Sequence, residues 1–257
     1  MSTDQTLRFV DRVNPVTRLA AAMLLTTPLL LSVDWLSAAL ALGIQLVLFA
    51  AAGVRPRTFV TRTWPILVAA PIAGISMLLY GKPSGEEYWS FWLARVTDGS
   101  IELAIAVTVR VLAIGLPAVL LFMNVDPTEL ADGLAQIAHL PSRFVLGALA
   151  GARLVGLFVE DWRAMALSRR ARGIGDHGAI RRFATMAFAL LVLAIRRGSK
   201  LATAMEARGF GADVERTWAR VSRVGWVDAG MLAIAAGIAV VALGGAVWAG
   251  TFHPVWS

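Results

Sequence analysis

The chain has 257 residues, of which 58% are hydrophobic and 16% charged, and its mean hydropathy is +0.69. These values lie well above the globular average and indicate an integral membrane protein with several spans. They leave no room for an additional enzymatic domain of about 100 residues. The lack of cysteine excludes disulfides, thiolate metal sites and cysteine nucleophiles.

The formal net charge is +7, and 22 of the 24 basic residues are arginine. In a membrane protein such charge reports orientation and contact with anionic headgroups, so we expect a lipid bilayer as partner and no nucleic acid. The first residues lack the three segments of a signal peptide, and we expect no removal of the N-terminus.

Five apolar segments are predicted to cross the membrane, because a span needs about 20 mostly apolar residues. They are residues 17–31, 35–53, 64–80, 100–123 and 227–249. Arginine without acid in the loop 54–62, and arginine near the N-terminus, place both in the cytoplasm by the positive-inside rule. The acidic and aromatic loop 81–99 is then outside, and its composition suits an interfacial re-entry.

Residues 124–226 carry 15 of the basic residues against nine acids, which is nearly all of the net charge. Asp126-Pro127-Thr128-Glu129 predicts a helix start. Two long helices follow, from Pro141 to about Arg172 and from about Ala179 to Arg208. Their apolar stretches are short or contain Arg153, so we expect both helices to lie beneath the membrane; a hairpin of two further spans is the alternative.

The predicted fold class is therefore all-α: a polytopic membrane protein of about five transmembrane helices plus long cytoplasmic helices. Residues 1–123 hold the first four spans, residues 124–226 the cytoplasmic helical region, and residues 227–257 the last span.

One tripeptide occurs twice in the cytoplasmic region, Ala171-Arg172-Gly173 and Ala207-Arg208-Gly209, and each copy closes a predicted helix. A glycine just after a helix permits the left-handed turn, and the next apolar residue, Ile174 or Phe210, packs back onto the last turn. An arginine in the last turn interacts favourably with the carbonyl end of the helix dipole, and its planar guanidinium head offers five hydrogen-bond donors. The pattern predicts two narrow helix tips that fit grooves on other proteins.

At these residues the chain resembles the transmembrane T component of energy-coupling factor (ECF) transporters, the EcfT/CbiQ family. The match rests on four segments: Asn14 to Leu19, Asp126 to Leu130, Met165 to Gly173 and Ala202 to Phe210, the last including Glu206. The resemblance implies that both helices are coupling helices, and that Arg172 and Arg208 each engage one of two ATP-binding-cassette (ABC) ATPases. It also implies a separate S component that binds the vitamin or metal.

The chain contains no Gly-x-x-x-x-Gly-Lys-[Ser/Thr] loop, so ATP hydrolysis is expected in partner subunits. His139, His177 and His253 are far apart in sequence, and neither a metal site nor a cofactor is expected. Arg110, inside the fourth span, is expected near an interface, with pairing to Glu102 or to an acid of a partner as the alternative.

The residues and the resemblance together predict a non-catalytic subunit of a prokaryotic cell membrane, which transmits the conformational change of two ATPases to an S component. Two other classes compete with this hypothesis. A membrane enzyme acting on anionic lipid or polyprenyl phosphate would use the arginines of residues 163–182 as a phosphate clamp. A simple membrane anchor would use them only to bind headgroups, and neither class explains the repeated tripeptide.

Overall fold

The computed structural model describes residues 12–32, 34–54, 56–81, 84–91, 94–173, 178–212 and 217–250. Its elements are α1 (Pro15–Leu31), α2 (Trp35–Ala51), α3 (Pro56–Tyr80), β1 (Glu87–Phe91), β2 (Ala94–Thr97), α4 (Asp98–Phe122), α5 (Pro127–Gln136), α6 (Ser142–Ala171), α7 (Ala179–Ala207) and α8 (Trp226–Trp248). They form two compact units. One contains the described parts of Met1–Asp126 and Arg223–Ser257, and the other those of Pro127–Ser222.

Side-chain caps fix where three helices of the first unit begin. The Asn14 side chain accepts from the backbone N–H of Val16 at 3.0 Å, and proline follows at the first helical position. Asp34 caps α2 by accepting from the N–H of Ser37 at 2.7 Å. Thr97 and Ser100 form a reciprocal capping box at the start of α4.

Small residues let the helices of the first unit approach closely. Its core joins α1, α2, α4 and α8 through side chains that are mostly alanine, leucine and isoleucine: Ala21, Leu25, Leu29, Ala41, Ala113, Ala235, Ile238 and Ala242. Where α3 packs along α4, a Cβ on Gly74 would collide with the Thr108 side chain, and one on Gly115 would lie 2.8 Å from Ile66. Close backbone approach through small residues is how membrane helices gain packing energy.

Four of the described helices are long and apolar enough to cross a membrane: α3, α4, α6 and α8. The all-α, polytopic fold class is thereby confirmed. The first two predicted spans are shorter apolar helices of 17 residues each, about 25 Å long at 1.5 Å per residue. α6 meets the criterion and α7 does not, so a position beneath the membrane stays a prediction for both helices.

The segment between α3 and α4 contains an antiparallel pair of strands, β1 and β2, where an interfacial re-entry was expected. The aromatic residues of this segment favour extended backbone and allow a hairpin to form. The hydroxyl of Tyr88 donates to Oδ1 of Asp98 at 2.9 Å and ties the hairpin to the start of α4. This hydrogen bond, together with the negative charge of Asp98, raises the pKa of Tyr88 above its ordinary value.

The second unit consists of α5, α6, α7 and the segment that follows α7. α5 starts at the proline that the sequence marked as a helix opening. At its end, the Gln136 side chain donates to the carbonyl of Arg220 at 2.8 Å and accepts from the N–H of Ser222 at 2.9 Å. Arg153 of α6 donates to the hydroxyl of Thr128 at 3.2 Å, which connects the two helices.

Candidate functional site

The two Ala-Arg-Gly segments end α6 and α7 with the same backbone geometry. Arg172 and Arg208 are the C-cap residues, with φ of −88° and −92°. Gly173 and Gly209 follow with φ of +69° and +76°, which is the left-handed conformation that the sequence predicted. The last turns of two different helices are therefore built alike, although their internal sequences differ.

The second helix end forms a complete Schellman motif. The N–H of Phe210 donates to the carbonyl of Met205, and the N–H of Gly209 to that of Glu206, both at 2.9 Å. Phe210 is half-buried, whereas Glu206 is exposed. At the first end, Gly173 makes the matching bond to the carbonyl of Arg170 at 3.0 Å. The residue equivalent to Phe210 is Ile174, which lies outside the described residues.

Both tips are presented to solvent. Ala171, Arg172 and Gly173 are exposed, and so are Ala207, Arg208 and Gly209. An arginine head on a slim, hydrogen-bonded helix end can make bidentate contacts with a carboxylate or with backbone carbonyls. The tips can therefore bind carboxylates, backbone carbonyls or phosphates.

An ion pair joins the two helices. Arg197 of α7 donates through both terminal nitrogens to the carboxylate of Asp161 of α6, at 2.5 and 3.1 Å. The Arg197 side chain is 35% exposed and the Asp161 side chain 21%, so this pair is partly desolvated. No pattern in the sequence identified Asp161 and Arg197 as partners.

The ion pair occupies equivalent positions in the two helices. Asp161 and Arg197 are 36 residues apart, and Arg172 and Arg208 have the same separation, so each arginine tip follows its member of the pair by eleven residues. Eleven residues make about three turns and about 16 Å of helix. Each tip therefore lies on nearly the same helix face as the ion pair, at the same distance from it.

Other contacts show that α6 and α7 run antiparallel. Arg169 donates to the hydroxyl of Thr185 at 2.8 Å, and Trp162 packs edge-on against Phe183 with ring centroids 5.5 Å apart. Compared with the Asp161–Arg197 pair, both contacts lie nearer the end of α6 and nearer the start of α7. Because the helices run in opposite directions, the two tips lie on opposite sides of the ion pair, each about 16 Å of helix away from it.

The N-terminal motif forms a second polar cluster, within the first unit. The N–H of Asn14 donates to Oδ1 of Asp228 at 2.7 Å, and its side chain donates to the carbonyl of Arg223 at 3.2 Å. Arg18 is 4% exposed and donates to the carbonyl of Val13. The cluster ties the start of α1 to the start of α8. No sequence pattern linked Asp228 to this motif, because 214 residues separate them.

Arg110 does not pair with Glu102. It follows Glu102 by eight residues on the same helix, which is about 12 Å along the axis. It is also twelve residues from the start of α4, so it does not lie at a helix end. Its guanidinium donates to the carbonyl of Asp34 at 3.3 Å, in the turn between α1 and α2. The structure thus gives Arg110 a backbone partner instead of Glu102, and its position near a membrane interface stays a prediction.

The described residues contain no group of three or more metal-ligating side chains. Of the three histidines, His139 lies in the turn after α5 with φ of +53°, whereas His177 and His253 lie outside the described residues.

Comparison with known proteins supports the family assignment. The CbiQ family, described as cobalt transport protein, matches residues 7–218. The energy-coupling factor transporter transmembrane protein EcfT of Limosilactobacillus fermentum is 27% identical over 171 residues, covering 62% of this chain and 63% of the relative. The EcfT proteins of Listeria innocua and Brevibacillus brevis are each 24% identical, covering 87% and 92% of this chain and 89% and 93% of theirs. The chain therefore belongs to the EcfT/CbiQ family of transporter transmembrane components, which are membrane subunits without catalytic activity.

Proposed function

We propose that this chain is the energy-coupling transmembrane subunit of an ECF-type ABC importer. In this role it transmits the conformational change of two cytoplasmic ATPases, through α6 and α7, to a substrate-binding S component for vitamin or transition-metal uptake. The observation that carries the proposal is the pair of matching, exposed arginine tips at opposite ends of one antiparallel helix pair. Family membership supports it independently.

The spacing of the tips suits two equivalent partners. An antiparallel helix pair has a local two-fold relation, and here the relation extends to the tripeptides and to the ion pair between them. Two copies of one ATPase, or two related chains, bind a symmetric pair of surfaces with the same contacts. Arg172 and Arg208 are the residues that we assign to these two contacts, supported by Ala171, Gly173, Ala207 and Gly209.

The ion pair makes a mechanical step feasible. When the ATPases close on nucleotide, they move the two tips toward each other, and the helices transmit the movement as rigid rods. Because Asp161–Arg197 lies midway, it acts as the fixed point about which both helices turn. Equal distances on either side divide the movement equally between the helices.

An apolar face on α7 offers the output of this movement. Phe188, Leu191, Val192 and Ile195 are all more than half exposed. They fall within an arc of about 100° on the helix, at 100° per residue. We assign this face to contact with the S component. The orientation of the chain follows from its charge. The N-terminus and the arginine-rich residues 124–226 are both cytoplasmic, and residues 1–123 and 227–257 carry the spans.

The proposal is tested by reversing the charge of each tip. Arg172→Glu and Arg208→Glu should each weaken co-purification of the ATPases and reduce uptake, and the double variant should abolish both. The matched controls are Arg163→Glu and Arg196→Glu, which make the same charge change at exposed positions on the same two helices.

Normal uptake by the double variant would refute the coupling role. An equal loss in the controls would show that only the total charge of the region matters, as in a simple membrane anchor. Turnover of a lipid phosphate by the purified chain alone would instead favour the membrane enzyme, which family membership speaks against.

A further inference from the structure

The two arginine tips differ in the length of the chain that follows them. Seven residues, 172–178, join α6 to α7, whereas eighteen residues, 208–225, join α7 to α8. A short connection restricts the helix ends that it joins, because the conformational freedom of a loop grows with its length. The Arg172 tip is therefore restrained by its own connection, and the Arg208 tip needs another restraint to be held equally well.

The end of α7 projects from the helix pair. Leu201 lines an apolar cleft together with Arg153 and several leucines of α6. The six helical residues that follow, 202–207, are exposed apart from the half-buried Met205, and they extend about 9 Å beyond Leu201. A helix end with so few buried side chains can swing unless the chain beyond it is held.

A glutamine side chain holds the chain beyond the Arg208 tip. Gln136, the last residue of α5, donates from its amide nitrogen to the carbonyl of Arg220 at 2.8 Å and accepts from the N–H of Ser222 at 2.9 Å. One amide thus binds the backbone of two alternate residues, as a neighbouring strand does. Two directional hydrogen bonds restrain this segment in both position and rotation.

The helix that carries Gln136 is itself fixed to α6, on the side where α7 ends. α5 packs along α6, and its Thr128 hydroxyl accepts from Arg153 at 3.2 Å. Arg153 precedes Asp161 by eight residues, and α7 runs in the opposite direction, so the end of α7 lies on this side of the ion pair. The restraint on the chain after α7 is therefore carried to α6, the helix that bears the other tip.

We propose that Gln136 is a positioning residue for energy coupling: it restrains the chain after Arg208 and gives the second tip the support that a short connection gives the first. The inference rests on the proposed function, because only a tip that bears on a partner needs such support. It also accounts for the amide at the end of α5, since only a group that both donates and accepts can bind the carbonyl of Arg220 and the N–H of Ser222 together.

The first test measures the mobility of each tip in the full-length chain without partners. Because the chain contains no cysteine, Ala171→Cys and Ala207→Cys each introduce a single site for a spin label, at equivalent exposed positions. Gln136→Leu keeps the approximate size of the side chain but removes both hydrogen bonds. It should lower the ratio of held to released segment about tenfold, the size expected for two neutral hydrogen bonds. We expect the label at position 207 to become more mobile and the label at position 171 to stay unchanged.

Two further variants sharpen this test. Glu129→Leu, at an exposed position of the same helix, is the matched control and should change neither label. Gln136→Glu keeps an acceptor for the N–H of Ser222 but loses the donor to the carbonyl of Arg220, so it should give an intermediate mobility at position 207.

The second test asks whether the restraint contributes to coupling. Gln136→Leu should lower uptake per ATP hydrolysed, both alone and combined with Arg172→Glu. Combined with Arg208→Glu it should have little further effect, because the tip that it supports no longer binds its partner. Two changes that act on the same contact are not additive, whereas changes at independent sites are.

The outcomes separate this inference from the proposed function. If Arg172→Glu and Arg208→Glu both leave uptake normal, the proposed function fails, and the inference fails with it. If they impair uptake but Gln136→Leu changes neither label, or both labels equally, only the inference on Gln136 is overturned. An equal further loss of uptake with either tip variant would also overturn it, since a general loss of stability acts on both tips.

Discussion

Breaking the Asp161–Arg197 ion pair should both destabilise the second unit and uncouple the two arginine tips. The pair is bidentate and partly desolvated, with 21% and 35% of the side chains exposed. Exposed pairs contribute about 0–1 kcal/mol, and hydrogen bonds to charged groups about 1.5–3 kcal/mol. For this intermediate exposure we expect an interaction free energy of about 1.5 kcal/mol, or roughly a tenfold change in an equilibrium constant.

A double-mutant cycle measures this quantity. The variants are Asp161→Ala, Arg197→Ala and their combination, unfolded by sodium dodecyl sulfate in mixed micelles. The cycle subtracts the packing energy that each side chain loses when it alone is truncated, so that only the interaction energy of the pair remains. Glu160→Ala with Arg196→Ala is the matched control cycle, because it uses the same kind of charges one position earlier on each helix, where both side chains are exposed.

The charge swap provides the functional part of the test. Asp161→Arg with Arg197→Asp should restore uptake relative to either single charge reversal, since the swapped groups can meet again at the same place. An interaction energy below about 0.3 kcal/mol, the usual error of additivity, would refute the reasoning. So would normal uptake per ATP hydrolysed in both single reversals.

Three further outcomes are expected. Asp228→Ala should lower the free energy of unfolding by about 3 kcal/mol, because its carboxylate accepts from backbone N–H groups of two segments; a loss under about 1 kcal/mol would contradict this. Gly209→Ala should destabilise the chain by about 1–2 kcal/mol, because φ of Gly209 is +76°. Gly198→Ala inside α7, where the added Cβ meets open space, should stabilise it slightly. A change in stability of the same sign in both variants would contradict the left-handed helix end at Gly209. In a Tyr80→Phe background, absorbance titration of Tyr88 should give a pKa above 10.0. The neutral hydroxyl therefore contributes fully to hairpin stability below pH 10, and this contribution is lost as the pH rises through the raised pKa. A pKa at or below 10 would contradict the hydrogen bond.

The helix ends were the most predictable part of this structure. Gly173 and Gly209 specify left-handed turns, and α7 ends within one residue of its predicted boundary. Boundaries near the membrane surface were less predictable. α3 begins at Pro56, eight residues before the predicted span, because hydropathy marks only the apolar part of a helix whose backbone continues into a polar segment.

Long-range polar pairs were not predictable from the sequence. Arg197 could have paired with several acids, and only the antiparallel packing of α6 and α7 brings it to Asp161. Arg110 binds a backbone carbonyl, and every residue offers that group. In both cases the residue type indicates a need for a partner, but the tertiary structure decides which partner meets it.

The cluster at the start of α1 has a consequence for biosynthesis. The N–H of Asn14 is bonded to a carboxylate 214 residues later in the chain, and the core around Leu25 is completed by residues of α8. At about 5–20 residues per second, some 10–40 s of translation separate these two parts. The first helix is therefore made long before the last one, and α6 and α7 are synthesised before the first unit can close. A ribosome that stops before α8 would release a chain with both arginine tips made and the core of the first unit unfinished, and such a chain is a target for quality-control proteases.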